Sequence, residues 1–467
     1  MKRIYCAFFL FLLCSAFSAQ KISEKLDKEV RELLSSPEMY AANLSFYVSD
    51  EQGNFIYEYN GNKGLSTAST QKIFTAAAAL DILGENFRYK TKIFHSGKIN
   101  DGNLEGDLFL MSEGDPTLGS WRYSGYKPED FRMKFIQAVK SAGIKKISGD
   151  LIIDDSYFDF QNIPGGWPWN DIGNYYGAGT WGVNWRENQF DMNIQGGSSL
   201  GSPTRIINFS HQLQGVKWVN GTHSAGKNSG DKSIIYTAPH SEVAYINGTL
   251  PMGKTSTVSG SVPNPPKQLA AEIKQWFQES GIEFNGNTLT ASQELIEKGE
   301  YTPRKGNIIL EYESPEMRQI IYWFMKKSVN LYGETLLKTI GKVKNGNTSY
   351  SSGIKALQDF WKEKGIRTAM INFADGSGLS PQNYASARAE VQALIWARKQ
   401  EWFPVFEESF PSYNGMKIKS GTIKDAKAYA GYHTAKTGER YVFAVIVNNY
   451  HGKNVNEKLF KLLNILK

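Results

Sequence analysis

Ser69-Thr70-Gln71-Lys72 runs directly into Ile73, Phe74, four alanines at 76–79 and Leu80. Ser and Lys at i and i+3 share one face of a helix, their Cβ atoms about 5–6 Å apart, so an amine can take the hydroxyl proton. The alanine-rich continuation predicts a buried helix. A lysine held against such a helix loses hydration, which favours its neutral form and makes it a usable base. Ser69 at the helix start also directs free backbone N–H groups toward developing negative charge. Alone, the pattern equally describes an ordinary helix capped by Ser69, so its meaning depends on its partners.

Two partners occur further along. Ser328-Val329-Asn330 lies between an apolar helical run, Ile320 to Met325, and a second helical run, Leu331 to Ile340. A tight interhelical connection of this kind can aim a hydroxyl and a carboxamide at one point. Lys419-Ser420-Gly421-Thr422 follows Met416 and Ile418 on a strand-like stretch, where glycine permits a substrate backbone to come close. Ser-x-x-Lys, Ser-x-Asn and Lys-Ser/Thr-Gly, in that order, form the set found in penicillin-binding proteins and class A β-lactamases.

Over nearly its whole length after the N-terminal segment, the chain resembles the low-molecular-mass class C penicillin-binding proteins, the D-alanyl-D-alanine carboxypeptidase/endopeptidases. Gly106-Asp107-Leu108 with Gly114-Asp115-Pro116-Thr117-Leu118, Gly149-Asp150-Leu151 with Asp154-Asp155-Ser156, and Asp375-Gly376-Ser377-Gly378-Leu379-Ser380 carry the likeness further. The 259 positions between Ser69 and Ser328 exceed what a compact β-lactamase accommodates and are similar to this family's large insertion. Two departures stand out. Ser420 replaces the usual threonine and keeps the hydroxyl, and Pro381-Gln382 follows Ser380 where the family often has arginine.

The resemblance implies an α/β fold: a serine β-lactamase/penicillin-binding transpeptidase-like domain of antiparallel sheet and helices with a large β-rich insertion. It implies that Lys72 takes the Ser69 proton, that Ser69 attacks the carbonyl between two D-alanines of a peptidoglycan stem, and that an acyl-enzyme forms. The N–H groups of Ser69 and Thr422 would make the oxyanion hole, Ser328 would relay the proton to the leaving amine, and Asn330 would hold the substrate amide. Lys419 would supply positive potential, and Ser420 and Thr422, beside Gly421, would bind the terminal carboxylate. Asp154 or Asp155 would meet the free amine of the stem's diaminopimelate, although both also fit a strand end and turn cap. β-Lactams are the implied inhibitors, and no metal or cofactor is required. The alternatives are a serine β-lactamase, separated by penicillin turnover, and a non-catalytic peptidoglycan-binding envelope protein, separated by penicillin labelling.

The rest of the sequence sets the frame. At about 150 residues per domain, 467 residues suggest about three domains or one large domain with insertions. Apolar residues at 41%, charged residues at 21% and 61 aromatic residues describe a globular chain and exclude a disordered or fibrous one. The charge of +7 is spread without basic runs, so a nucleic-acid partner is not expected. Lys2 and Arg3, the apolar run Ile4 to Leu13 and Ala16-Phe17-Ser18 read as a signal peptide over 1–18, hence export to the periplasm with no stable membrane span. Both cysteines, Cys6 and Cys14, lie inside it, which removes disulfides, thiol nucleophiles and cysteine metal sites from the mature chain.

Alternating apolar residues at Leu44 to Val48 and Phe55 to Tyr59, with Tyr429 to Tyr432 and Tyr441 to Asn448 near the other end, predict one sheet built jointly from both termini. The catalytic domain is therefore expected over 20–88 and 305–467. An inserted β-rich region of one or two subdomains is expected over 89–304, interrupted by one helix, Gln268 to Ser280. Lys436-Thr437-Gly438 repeats the third motif, but it falls in a hairpin turn and reads as a decoy. Gly197-Ser198-Ser199-Leu200-Gly201 has nucleophile-elbow spacing without a following helix, so it reads as a loop. Gly177-x-Gly179-x-x-Gly182 lacks the strand and helix of a dinucleotide site.

Overall fold

The computed structural model describes residues 20–467; the segment 1–18, expected from the sequence to be a signal peptide, lies outside the described residues. The chain groups into two units. The first holds the described residues up to Glu85 together with Ile321–Ser328 and Ile354–Lys467, and the second holds Asn86–Ile320 and Val329–Gly353.

The first unit is built on a six-stranded antiparallel sheet in the order Phe55–Tyr59, Asn43–Asp50, Arg440–Asn448, Ala426–Thr434, Met416–Ile423, Ser412–Tyr413. The termini meet at its centre, where Phe46 is opposite Val445 and Val48 opposite Phe443. Because strand side chains alternate faces, Phe46, Val48, Ile418, Phe443 and Val445 all point to one side. There they bury Leu26, Val30 and Leu33 of the helix at 20–34 and Leu459, Leu462 and Leu463 of the helix Val455–Leu463. Each such side chain stabilises the fold by about 1.5–3 kcal/mol when fully buried. The opposite face receives the helix Ala387–Ala397 and the turn Ala68–Gln71, from which the helix Lys72–Leu83 runs on against Ala387–Ala397. Lys419, next to Ile418, therefore points to the side where the Ser69 turn lies.

Among the described residues the second unit has two large apolar cores beside a small cluster of Phe94, Phe109 and Ile152. One is made by the helices Pro128–Ser141 and Pro265–Ser280 against strands Lys90–His95, Leu108–Ser112 and Leu151–Asp154, with Phe131, Phe135, Val139, Ile273 and Phe277 at its centre. The other joins Phe190, Met192 and Ile194 to Ile235, Ile246, Leu250 and Val258 from two three-stranded sheets.

One expectation needs correction. Gln268 to Ser280 is not the only helix of this region: Pro128–Ser141 is a second long one, with Pro128 at its first position and Phe131, Phe135 and Val139 one turn apart on the buried face. The second unit takes in residues on both sides of the second motif. Strand Asn307–Glu313 pairs antiparallel with Lys90–His95, closing a five-stranded sheet, and Tyr89 Oη lies 3.1 Å from Thr339 Oγ1, tying in the helix Asn330–Asn345. The unit boundary thus falls between Ser328 and Val329, inside the second motif.

Candidate active site

In the first unit Ser69 sits on a 3-10 turn, Ala68–Gln71, that continues into the helix Lys72–Leu83. Ala76 to Ala79 are fully buried, as is Lys72. The Lys72 Nζ donates to Ser69 Oγ at 3.0 Å and to the Ser377 carbonyl at 2.6 Å, 5.7 Å from the centre of the Phe324 ring.

The Ser377 carbonyl reaches Lys72 because its loop is clamped. Asp375, fully buried, accepts through Oδ1 from Gly378 N at 2.6 Å and Asn383 Nδ2 at 2.9 Å, and through Oδ2 from Ser380 N at 2.6 Å. The helix holds the same loop from its own side, Gln71 Nε2 donating to the Asp375 carbonyl at 2.5 Å and Thr75 Oγ1 to the Gly376 carbonyl at 2.7 Å. Gly378 has φ +85°, and a Cβ there would lie 2.0 Å from the Ala68 carbonyl oxygen, so glycine is needed for both conformation and space. The Asp375–Ser380 stretch, singled out by resemblance alone, is thus the frame that orients Lys72.

Strand Met416–Ile423 brings the third motif to the same turn. A Cβ on Gly421 would lie 2.3 Å from the Thr67 carbonyl oxygen and 3.0 Å from the N atoms of Ser69 and Thr70. Lys419, 2% exposed, donates from Nζ to Ser328 Oγ at 3.0 Å and to the Ser420 carbonyl at 2.9 Å. Burial, and then the charges of Lys72 and Lys427, hold the Lys419 pKa well below its ordinary value. The exposed Thr422 receives a bond to Oγ1 from Lys427 Nζ at 2.6 Å; Lys427 has no sequence signal, and burial lowers its pKa. Ser328 has φ +57° and Ala68 φ +47°. Left-handed backbone of this kind costs a non-glycine residue on the order of 1 kcal/mol, and it occurs at one motif hydroxyl and next to the other.

The first unit therefore gathers Ser69, Lys72, Ser328, Lys419, Ser420, Gly421 and Thr422. Lys436 lies exposed in the turn between Ala426–Thr434 and Arg440–Asn448, away from this group along the strands. Ser199 is in an exposed turn closed by Ser202, with no helix after it.

The remaining candidates belong to the second unit. Asn330 opens the helix Asn330–Asn345 and donates from Nδ2 to the Tyr176 carbonyl at 2.8 Å. Asp154 ends strand Leu151–Asp154 and accepts through Oδ1 from Ser156 N and Oγ, at 3.1 and 2.6 Å, which is the turn-capping arrangement. Asp155 Oδ1 accepts from Ser292 N at 2.9 Å, and burial raises its pKa to about 6. Asp155 lines a cavity of about 220 Å³ with Phe158, Asp159, Phe160, Ser292 and Tyr301. Among the described residues, no three His, Cys, Asp or Glu side chains cluster as metal ligands, and no helix is long and apolar enough to cross a membrane.

Comparison with known proteins shows the family. The profile of the D-Ala-D-Ala carboxypeptidase 3 (S13) family matches residues 26–464. The D-alanyl-D-alanine carboxypeptidase DacB of Haemophilus influenzae is 28% identical over 96% of this chain and 93% of its own. The crystal structure of penicillin binding protein 4 (dacB) from the same organism superposes with a TM-score of 0.78, at 26% identity, over 93% of this chain and 98% of that one. A structure of that protein complexed with a β-lactam superposes with a TM-score of 0.72 at 24% identity, over 93% and 97% of the two chains.

Proposed function

Because this chain belongs to the D-Ala-D-Ala carboxypeptidase 3 (S13) family and is a serine-type D-alanyl-D-alanine carboxypeptidase, we propose that Ser69 forms its acyl-enzyme and Lys72 is the base. The supporting observation is the Lys72 Nζ, 3.0 Å from Ser69 Oγ. Its second bond, to the Ser377 carbonyl, uses one N–H and leaves the neutral amine's lone pair for the Ser69 proton. Ser69 Oγ bonds to the carbonyl carbon between the two D-alanines, and the C–N bond to the terminal D-alanine breaks. The proton held by Lys72 passes through Ser328 to the leaving amine. Water then hydrolyses the ester, restoring Ser69 and releasing the shortened stem.

The oxyanion is assigned to the N–H groups of Ser69 and Thr422. The closeness of Gly421 to the Ser69 turn supports this, since it sets the strand against the helix start. The terminal carboxylate is assigned to Ser420, Thr422 and Lys419. A carboxylate arriving beside Lys419 supplies the countercharge that its buried surroundings lack, so charged lysine and substrate stabilise each other. Asn330 holds the substrate amide.

The catalytic domain is the first unit, and the second shapes stem-peptide specificity. There Asp155 is the better candidate for an amine, because it lines a cavity, whereas Asp154 is fully buried and caps its own turn through Oδ1. The basic and apolar N-terminal segment supports export to the periplasm, where peptidoglycan stems are the substrate and β-lactams acylate the same serine. Incubation with purified cross-linked cell-wall fragments tests the reading: mass analysis should show loss of terminal D-alanine or of cross-links, and fluorescent penicillin should block it. Intact fragments and unlabelled protein would refute it.

A further inference from the structure

Thr70 lies between Ser69 and Lys72 in chain order, and its Oγ1 is buried 2.9 Å from the Thr67 carbonyl oxygen and 2.5 Å from Oε1 of Glu390. Glu390 belongs to the helix Ala387–Ala397, is fully buried, and its Oε2 has no hydrogen-bond partner. A threonine hydroxyl has one proton to give. If it is given to the Thr67 carbonyl, the short contact to Glu390 needs a proton from the carboxyl side. If it is given to Glu390, the Thr67 carbonyl keeps only its bond from Thr70 N at 3.3 Å.

We propose that Glu390 is a positioning residue, kept as a neutral carboxylic acid that donates to Thr70 Oγ1 so that Thr70 in turn donates to the Thr67 carbonyl, locking the turn that carries Ser69. This rests on the assignment of Ser69 as the acylated residue. The Thr67 carbonyl is also the atom against which Gly421 is packed, so one chain of two hydrogen bonds ties the helix Ala387–Ala397 to the Ser69 turn where strand Met416–Ile423 meets it. Loss of the Glu390 proton turns the Thr70 hydroxyl toward the carboxylate and releases the Thr67 carbonyl.

The surroundings favour the neutral form. Burial raises the Glu390 pKa to about 8, opposed only by the Thr70 bond. The titratable groups on the packed elements are engaged elsewhere. Lys72 points to Ser69 and Ser377, the Tyr47 ring faces Arg388, Tyr432 donates to the Leu394 carbonyl, Lys427 donates to Thr422, and Arg440 pairs with Glu51. Tyr384 is partly exposed, Asp50 bonds the Gln52 and Asn54 backbone, and Tyr441 takes part in no pairing with Glu390. A buried acid without a cation beside it stays protonated and acts as a hydrogen-bond donor.

Glu390→Gln keeps a donor at this place and removes the titration. The test compares penicillin acylation rates of wild type and Glu390→Gln from pH 6 to 9.5, with infrared difference spectra of the same proteins over the same range. Other groups titrating in the site affect both proteins alike, so the rate ratio isolates Glu390. The ratio of variant to wild type should be flat below pH 7 and rise by roughly threefold or more by pH 9.5. The wild type should show a protonated-carboxyl carbonyl band that Glu390→Gln lacks and that fades above about pH 8. A flat ratio with a normally acylated wild type, or no such band at pH 7, overturns the proposal. A wild type that penicillin never labels refutes the Ser69 reading and the positioning role with it, while the infrared arm still decides whether Glu390 is protonated.

Discussion

Lys419 Nζ donates to Ser328 Oγ at 3.0 Å across 91 positions of sequence, repeating the Lys72–Ser69 pair one motif further on. The two pairs differ in how they arise. Ser69 and Lys72 are neighbours on one turn, whereas Lys419 meets Ser328 only because a strand and an interhelical connection converge. Two lysines in one buried site also repel each other, which adds to burial in depressing the pKa of Lys419.

Ser69→Ala is expected to abolish covalent labelling by fluorescent penicillin with an unchanged far-ultraviolet circular dichroism spectrum, and Ser199→Ala to label as wild type. Labelling that survives in Ser69→Ala and is lost in Ser199→Ala would displace the nucleophile.

Lys419→Ala removes the partner of Ser328 and the charge for the carboxylate, and should slow acylation by about tenfold or more, or about 1.4 kcal/mol in the barrier. Lys436→Ala, in an exposed turn, should leave the rate within about twofold. Stopped-flow acylation with a chromogenic β-lactam measures both, and the reverse ranking would show that the strand register assigned to the third motif is wrong.

Gly421→Ala places a Cβ 2.3 Å from the Thr67 carbonyl oxygen. Backbone cannot yield there as a flexible side chain would, so stability should fall by about 1–3 kcal/mol and acylation should slow as the strand moves off the Ser69 turn. Denaturant titration and the acylation assay read the two effects; a variant normal in both would mean that the strand does not sit this close.

Stability should report the buried Lys419 through pH. Its folded pKa lies below the ordinary 10.5, so between those two values the unfolded chain binds more protons and wild-type stability rises with pH. Relative to Lys419→Met, wild type should gain stability as pH rises from the folded pKa toward the ordinary 10.5, and the two should run parallel below the folded pKa. Parallel melting temperatures of the two proteins across this range would show an unperturbed lysine.

Asp155→Asn should lower kcat/KM selectively on a stem-mimicking peptide with a free side-chain amine, and spare its acetylated counterpart. A charge-assisted bond in a cleft is worth roughly 1.5–3 kcal/mol, about ten- to a hundredfold. Asp154→Asn, which loosens a turn, should affect both peptides equally. Equal behaviour of both peptides in both variants would leave the two carboxylates a structural role only.

Local and periodic features were legible in the chain before folding. Ser69 and Lys72 fall within one helical turn, the alternation around Phe46 and Val445 marks strands, and the order of three short motifs names the chemistry, since each motif is read within a few residues. The spacing of Phe131, Phe135 and Val139 was equally local, and that helix was open to the same reading. Contacts between distant parts of the chain emerged with the fold: the Ser377 carbonyl at Lys72, 305 positions away, and Glu390 at Thr70, 320 positions away. The fold also decided that strand Asn307–Glu313 completes the sheet of Lys90–His95, a pairing no composition change announces. The physical reason is common to these cases. Charged residues are ordinarily exposed, and a glutamate in a helix or a carbonyl in a loop acquires its chemistry only when folding removes water and leaves it one specific partner.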